Sequence, residues 1–196
     1  MKFNKNNFKE YNNYLKGRSI LSYLYRNFYL YPTLQKKLIN PVLDVGCGIG
    51  DYLRFNKHSI GADINEYNIN ELLASGYKAV LIENDILQFA DAYFNSVLLD
   101  NVLEHISEPI PLLKEVKRVL KKNGILLIGL PGIKGFKMDK DHKKNYSELC
   151  LKNLIEKEGF TRIKSIRMPL NLKFLSIIMS QYCIYTYFKK ICIYTR

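Results

Sequence analysis

Short apolar runs alternate with helix-like segments along this chain, and this alternation constrains the fold more than any other feature. The runs with strand character are PVLDVG, SIGAD, YKAVLIEND, SVLLDN and GILLIGLP, in that order. Helical patterns lie between them, near residues 49–56, in NEYNINELLASG and at residues 109–122. The apolar run GILLIGLP is typical of a strand that is buried on both faces of a parallel sheet. The pattern therefore predicts a doubly wound, mostly parallel α/β sheet.

Capping residues and apolar faces indicate where the predicted helices begin and end. Asn65 can cap the start of one helix, and Gly76 can end it. The helix at 109–122 is expected to end at Asn123-Gly124, and its apolar face consists of Leu112, Leu113, Val116, Val119 and Leu120. A lysine-rich loop (132–145), the helix SELCLKNLIEKEG and the strand FTRIKSIRMP are expected to follow. Residues 17–39 also have a helical pattern, which Pro32 is expected to break or kink.

The charge of the chain is unevenly distributed. The net charge is +12 over 196 residues. Residues 1–40 contribute +7 and residues 134–196 contribute +9, whereas residues 41–133 contribute −4. Two basic flanks of this kind can attract an anionic substrate, a membrane surface or nucleic acid, or they can be ordinary solvated lysine-rich surface.

Cysteine spacing and the polar N-terminal sequence bear on the cellular setting. The four cysteines form no CxxC or Cys/His pairing, so no zinc site of that kind is indicated. The opening MKFNKNNFKEYNNY is polar and does not resemble a secretory signal. We therefore expect a reducing, cytoplasmic setting in which the cysteines are buried thiols.

The sequence VLDVGCGIGDYL contains a glycine loop directly after the first predicted strand. GxGxG alone is weak evidence for a ligand. Asp63 strengthens it, because it ends the second strand nineteen residues after Asp44 and can accept hydrogen bonds from both hydroxyls of a ribose. Asp51 stands where the dinucleotide fingerprint has its last glycine, and Asp44 adds negative charge where a pyrophosphate would lie. An ammonium or sulfonium group fits this loop better than a phosphate does.

The motifs VLDVGCGIGDYL, GADIN, NDI and SVLLDNVLEHI together resemble the successive motifs of class I S-adenosylmethionine-dependent methyltransferases, in the type 11 branch. The resemblance covers about residues 41–165. It implies a seven-stranded sheet with an N-terminal helical cap and a C-terminal antiparallel strand. It further implies one domain over 1–196, divided into the cap (1–40), the cofactor-binding core (41–165) and a segment that completes the sheet (166–196).

The same resemblance assigns cofactor-binding residues. Those bordering the methionine moiety would be Asp44, Gly46, Cys47 and Gly48, with Asn101 and Val102 nearby through their backbones. Asp63 would hold the ribose. Ile64, Asp85 and Ile86 would lie at the adenine. S-adenosyl-L-methionine is the implied cofactor.

His105 and Glu104, in NVLEHI, are the candidate catalytic residues. His105 could take a hydroxyl proton from the methyl acceptor. Some quinone-pathway O-methyltransferases hold a divalent metal here with Glu-x-x-Glu-His, but Asn101 replaces the first carboxylate, so we expect no metal. A structural role for both residues, opening the helix after the fourth strand, is the alternative.

The loop PGIKGFKMDKDHKKNYS is the candidate acceptor site. Its residues His142, Lys144 and Tyr146 could bind a phosphate or carboxylate. A mobile, solvated lysine loop is an equally good interpretation.

The two ends of the chain are expected to determine substrate choice. The tyrosine-rich N-terminal segment would cover the cofactor, although aromatic residues at helical spacing are more often core. The tail has fifteen uncharged residues between Lys173 and Lys189, which is short for a membrane span. We expect a helix and then ICIYT as the antiparallel last strand. An element that docks on anionic lipid is the second interpretation.

The sequence thus predicts methyl transfer to an oxygen of a small or lipid-linked acceptor, such as a glycan, in the cytoplasm or at the inner face of the membrane. Alternatives are a quinone-type O- or C-methyltransferase and a non-catalytic binding module. Nucleic acid is a less favoured partner, because DNVL stands where an Asn/Asp-Pro-Pro-aromatic motif would be.

Overall fold

A seven-stranded mixed sheet forms the centre of the molecule. A computed structural model of the chain describes residues 6–83 and 86–191. The strands are β1 Val42–Val45, β2 Ile60–Asp63, β3 Ala79–Leu81, β4 Phe94–Asp100, β5 Leu120–Pro131, β6 Phe160–Met168 and β7 Cys183–Lys190. Their order is β3-β2-β1-β4-β5-β7-β6, and β7 runs antiparallel to both of its neighbours. The predicted doubly wound, mostly parallel fold with an antiparallel C-terminal strand is confirmed.

Helices cover the faces of this sheet. They are α1 Asn6–Lys16, α2 Ile20–Tyr25, α3 Tyr31–Gln35, α4 Asp51–Phe55, α5 Glu66–Ala74, α6 Ile110–Val119, α7 Ile133–Met138, α8 Glu148–Lys157 and α9 Leu175–Ile178. A π-helical turn (Arg26–Leu30) joins α2 to α3, and a 3₁₀ turn (Leu103–His105) follows β4. No helix among the described residues combines the length and the apolar character needed to cross a membrane.

The order of the strands determines where a ligand can lie. β1 and β4 are adjacent, and the chain winds outward from them in opposite directions. All four residues of β1 are buried, and Val97, Leu98 and Leu99 of β4 are fully buried beside them. In such sheets the crevice for ligands lies outside the carboxyl ends of the strands where the order reverses. The glycine loop and residues 101–105 both follow these strand ends.

The N-terminal helical region differs from the prediction in two respects. The sequence pattern missed α1, which has few apolar residues but buries Leu15 and Asn12 against the rest of the protein. Pro32 was expected to break or kink the helical path over 20–35, and the path does not break there but continues to Gln35. Proline lacks a backbone N–H, and the π-helical turn directly before it changes the hydrogen-bond spacing where that donor is missing.

Three predicted boundaries were wrong. Helix α6 ends at Val119, not at 122, because Leu120 already pairs with Phe94 in the sheet. The predicted loop 132–145 contains helix α7. Strand β3 is shorter than YKAVLIEND, whose residues 84 and 85 lie outside the described residues.

The antiparallel strand of the structure precedes the segment that was predicted to form it. The tetrapeptide CIYT occurs at 183–186 and again at 192–195. The first copy lies in the antiparallel strand β7, which pairs with both β5 and β6. The second copy, within the predicted strand ICIYT, lies outside the described residues. The predicted returning helix is reduced to the four residues of α9.

Candidate functional site

The glycine loop after β1 adopts backbone conformations that favour glycine. Gly46, Gly48 and Gly50 have φ angles of 73°, 52° and 80°. A Cβ on Gly46 would lie 2.5 Å from a methyl carbon of Val102, so the loop packs directly on the segment after β4. The Cys47 side chain is buried with Leu53 in a small core cluster. Cys47 therefore presents its backbone, not its thiol, to the crevice.

Asp63 lies at the end of β2 and is buried beside the glycine loop. One carboxylate oxygen accepts the Gly48 N–H at 2.7 Å, and the other accepts the Asn65 N–H at 2.8 Å. Burial raises the pKa of Asp63, although these two hydrogen bonds oppose the shift. A carboxylate has about four lone-pair sites. Asp63 can therefore accept further hydrogen bonds, such as those of a diol.

A second buried carboxylate, Asp44, lies in β1 between other acidic groups. Burial raises the pKa of Asp44 well above its usual range, and the nearby carboxylates Asp100 and Asp63 raise it further. The site therefore has an excess of negative charge, which a cationic ligand would compensate.

Arg26 brings a positive charge into this acidic crevice, and the sequence pattern did not identify it. Its guanidinium lies 3.7 Å from Asp100 and 3.9 Å from Asp51, and it donates to the Tyr31 hydroxyl at 3.0 Å. Burial alone would lower the pKa of Arg26, but Tyr31 and Asp100 outweigh it and raise the pKa. Only the fold brings this residue, from the π-helical turn, to the end of β4.

The N-terminal helices cover the glycine loop. Arg18 pairs with Asp51 at 2.7 Å, and the Leu15 side chain lies 3.2 Å from the Cβ position of Gly48. A cavity of about 130 Å³ lies between this cap and the loop, and Arg18 and Arg26 are among its lining residues. The cap thus adds positive charge to the side of the crevice opposite the sheet.

Asn101 and Val102 follow β4 at the bottom of the crevice. Asn101 has a φ of 56°, which is uncommon for a residue other than glycine. Its backbone N–H donates to the Gly129 carbonyl at 3.0 Å, and its side-chain amide donates to Asp100 at 2.8 Å. Strain of this kind often accompanies functional sites.

The predicted adenine side is represented by two exposed apolar residues. Ile64 is 36% exposed and Ile86 is 53% exposed. Apolar surface of this kind suits a flat aromatic base. Asp85, the predicted partner of the adenine amino group, lies outside the described residues.

Glu104, His105 and His142 form a cluster on the other side of the crevice. A carboxylate oxygen of Glu104 and one nitrogen of each imidazole all lie within 4.8 Å of one another. Glu104 is 1% exposed, and neither of its carboxylate oxygens has a hydrogen-bond donor among the described residues. Burial raises the pKa of Glu104 to about 8. Burial also lowers the pKa of His105, with a further contribution from His142.

The loop 132–145 positions His142 in this cluster. Its Nδ1 lies 2.9 Å from the Phe136 carbonyl, and its ring stacks on Phe136. The two histidine rings meet edge to face at 4.6 Å. The backbone N–H groups of Lys143 and Lys144 both donate to the Glu104 carbonyl, which fixes the loop to the turn after β4. The solvated-loop interpretation therefore does not describe His142.

The other two predicted acceptor residues lie in different surroundings. The Tyr146 hydroxyl is buried with no hydrogen-bond partner among the described residues, and burial raises its pKa, with a contribution from Glu104. Lys144 is exposed, and its ammonium lies 5.4 Å from the centre of the Tyr146 ring. Tyr146 therefore belongs to the surroundings of Glu104, whereas the Lys144 side chain lies outside the cluster.

Tyr11 of the cap interacts electrostatically with acidic groups of both halves of the site. Burial of its hydroxyl raises the pKa of Tyr11 to about 12, and Asp139, Asp63 and Glu104 add to the shift. The carboxylates of both halves thus act on one phenol. The sequence pattern did not single out this tyrosine among its neighbours.

Comparison with known proteins identifies the same region of the chain. Residues 43–128 match the family described as a methyltransferase domain, type 11. The chain is 32% identical over 134 residues to an uncharacterized protein of Methanocaldococcus jannaschii, which covers 63% of this chain and 65% of that protein. It is 33% identical over 92 residues to the human probable tRNA methyltransferase 9B, which covers 44% of this chain and 20% of that protein. The chain thus spans just under two thirds of the first relative and a fifth of the second.

Solved structures share the whole fold at low sequence identity. A S-adenosylmethionine-dependent methyltransferase from Thermotoga maritima, described as a possible histamine N-methyltransferase, superposes with a TM-score of 0.74. The two are 17% identical, and the superposition covers 94% of this chain and 97% of the other. The domain match over residues 43–128 and the shared fold together support the resemblance to class I S-adenosylmethionine-dependent methyltransferases of the type 11 branch.

Proposed function

We propose that the chain binds S-adenosylmethionine and transfers its methyl group to an oxygen of a lipid-linked acceptor. The side chains of the crevice suit this cofactor group by group. Asp63 would accept the ribose hydroxyls, and the acidic pair Asp44 and Asp100 would attract the ammonium. Arg26 would attract the carboxylate of the methionine moiety. Ile64 and Ile86 would flank the adenine.

Transfer from a sulfonium needs alignment of the acceptor, the methyl carbon and the sulfur more than it needs acid–base chemistry. The sulfonium supplies an activated methyl group when the cofactor is bound. The residues of this chain would orient the acceptor, exclude water and deal with the proton that an acceptor hydroxyl must lose. A neutral imidazole can take that proton.

The observation that carries the proposal for an oxygen acceptor is the cluster of Glu104, His105 and His142. It lies directly after Asn101 and Val102, the predicted methionine end of the site. An amine that is already neutral needs no such group to attack a methyl carbon. Two imidazoles and a buried carboxylate at this place therefore favour an acceptor that must first lose a proton.

An exposed apolar surface supports a lipid-linked acceptor. We call it the apolar rim, and it consists of Ile20, Leu21, Phe28, Leu170, Phe174, Ile177 and Ile178, each more than half exposed. The Tyr29 hydroxyl donates to the Pro169 carbonyl at 3.1 Å, which joins its two parts. Exposed Lys134 and Lys173 border it, because Lys134 donates to the Ile178 carbonyl and Lys173 directly precedes Phe174. Apolar groups among lysines suit an anionic lipid surface.

The apolar rim is connected to the acceptor side of the crevice. Lys134 of α7 donates to the Ile178 carbonyl at 2.9 Å. The same helix carries Phe136, which stacks on His142. A lipid-linked acceptor bound at the apolar rim would therefore reach the cluster along α7.

Transfer of a radiolabelled methyl group into fractions of a cell extract would test the acceptor. We expect label in the lipid fraction, lost with His105→Ala. Label in the RNA fraction would contradict the proposal and favour the substrate class named for the tRNA methyltransferase relative. Binding of the cofactor without transfer to any fraction would favour the non-catalytic module.

Vesicle binding would test the apolar rim separately. The double variant Phe28→Ser/Ile177→Ser should bind vesicles of phosphatidylglycerol more weakly than the unaltered protein. Leu149→Ser is the matched control, because Leu149 is 65% exposed on α8, outside the apolar rim. Equal binding by all three proteins would exclude docking through this surface.

A further inference from the structure

We propose that Glu104, His105 and His142 form a binding site for a divalent transition-metal ion. Two imidazoles and one carboxylate are the ligand set that suits zinc, iron, cobalt and related ions. No metal is expected from the sequence alone, because Asn101 replaces the first carboxylate of a contiguous motif. The structure supplies a different third group, His142, from a loop 37 residues further along the chain.

The state of Glu104 is the first line of evidence. Its side chain is 1% exposed, and both carboxylate oxygens have no hydrogen-bond donor among the described residues. Burial of a polar group without a partner costs roughly 1–3 kcal/mol, and more when the group is charged. An ion between the three groups would give both oxygens a partner and would compensate the charge.

The orientation of His142 is the second line of evidence. Its Nδ1 lies 2.9 Å from the Phe136 carbonyl, so this nitrogen is the one that carries the proton in the neutral ring. Its Nε2 then keeps a lone pair and lies 3.9 Å from a Glu104 oxygen. Imidazole ligands of metals are typically held in this way, with the other ring nitrogen donating to a carbonyl or carboxylate.

The spacing of the three groups is close to that of a metal site. Ligand atoms about 2.1 Å from one tetrahedral ion lie roughly 3.4 Å apart. The three ligand atoms here lie within 4.8 Å of one another, so the most distant pair needs to approach by at most about 1.4 Å. Three protein ligands leave at least one coordination position for a water or an acceptor oxygen, as in catalytic sites.

Asp139 lies beside the site and could adjust its charge. One of its carboxylate oxygens lies 3.8 Å from His142 Nε2, and its side chain is about one third exposed. This group also acts on His105 and Glu104. We do not count it among the three ligands, because it is partly in solvent.

The consequence for catalysis rests on the proposed function. In the metal-loaded protein both imidazoles are ligands, and an acceptor hydroxyl at the open position would lose its proton more readily. His105 would then act as a ligand and not as the base expected from the sequence. Metal binding itself does not depend on this role and can be measured without turnover.

Titration of metal-free, untagged protein with Co²⁺ would test the site, with visible absorption of bound cobalt as the readout. We expect saturable binding at one ion per chain, displaced by Zn²⁺. His142→Ala and Glu104→Gln should weaken it by roughly 100-fold or more, since even outer-shell changes cost ~10–100-fold. His58→Ala is the matched control, because His58 is exposed and outside the cluster, and it should leave binding unchanged.

Several results would overturn the proposal. The unaltered protein could show no spectrum of bound cobalt. The His142→Ala, Glu104→Gln and control proteins could also bind cobalt equally well. Binding of S-adenosylhomocysteine is measured in parallel on each metal-free protein, and we expect it to be unaffected. If the unaltered protein binds cobalt but not S-adenosylhomocysteine, the proposed function is contradicted and the metal site stands. If the unaltered protein binds S-adenosylhomocysteine but not cobalt, the metal site is contradicted and the proposed function stands.

Discussion

The two halves of the crevice are built in different ways. On the cofactor side, the loop at 46–50 and Asp63 lie within twenty residues of sequence, and backbone groups make many of the contacts. On the acceptor side, Glu104 and His142 meet across 37 intervening positions, and side chains make the contacts. The first half is a local property of two βα units. The second exists only after the loop 132–145 has folded back on the turn after β4.

This difference implies that the two halves can be disrupted separately. A change at the cofactor side should weaken binding of any ligand that carries the ribose or the methionine moiety. A change at the acceptor side should leave such binding intact and affect turnover.

Asp63→Ala should have the largest effect on the cofactor side. Two hydrogen bonds from ribose hydroxyls to a charged acceptor are worth ~1.5–3 kcal/mol each, so we expect at least a 100-fold increase in Kd. Calorimetric titration with S-adenosylhomocysteine and with methylthioadenosine, which lacks the amino-acid part, measures it. Both ligands should be affected equally, since both carry the ribose.

Asp91→Ala is the control for this change, because the Asp91 side chain is 79% exposed and remote from the crevice. If folded Asp63→Ala protein binds S-adenosylhomocysteine with a Kd within threefold of that of the unaltered protein, the role of Asp63 in cofactor binding is contradicted.

His105→Ala should have the next largest effect, on the acceptor side. We expect kcat to fall by ~10²–10⁴-fold, the usual contribution of a positioned acid–base group, whether His105 takes the acceptor proton itself or holds the metal ion that eases its loss. The Kd of S-adenosylhomocysteine should change by less than threefold. Single-turnover kinetics with a labelled methyl group and parallel titrations separate the two quantities. If neither quantity changes, His105 is structural, which is the alternative that the sequence analysis left open.

The same contrast explains what could be predicted from the sequence. The alternation of apolar runs and helices is repeated many times, so the doubly wound, mostly parallel sheet could be predicted even though individual boundaries were wrong. The glycine loop and Asp63 follow neighbouring strands of that sheet, and the structure brings them together. Arg26 and His142 gave weaker signals. Arg26 is one of thirty Lys and Arg residues in the chain, and His142 stands in a lysine-rich loop. The position of both depends on tertiary contacts, with Asp100 for Arg26 and with Phe136 for His142.

Arg26→Met should have a moderate effect that is specific for the methionine moiety. Loss of one charge-assisted contact to a carboxylate should weaken S-adenosylhomocysteine binding about 10-fold. Methylthioadenosine, which has no carboxylate, should bind as before. Arg162→Met, at an exposed position of β6, is the matched control. An equal loss for both ligands would indicate that Arg26 supports the fold of the crevice instead of contacting the cofactor.

The smallest predicted effect concerns the pH dependence of stability without cofactor. Because the pKa of Asp44 is raised in the folded state, the folded protein binds more protons than the unfolded chain at pH values above about 4. The free energy of unfolding should therefore fall as pH rises from about 4 towards the raised pKa, by up to ~1.4 kcal/mol per pH unit from this group. Asp44→Asn removes this contribution and should make the decline shallower in denaturant titrations at several pH values.

Saturating S-adenosylhomocysteine, whose ammonium compensates the Asp44 charge, should have the same effect on the unaltered protein. Parallel declines in both proteins would mean that Asp44 is already ionised in the crevice, and that the cofactor side has enough positive charge without a ligand.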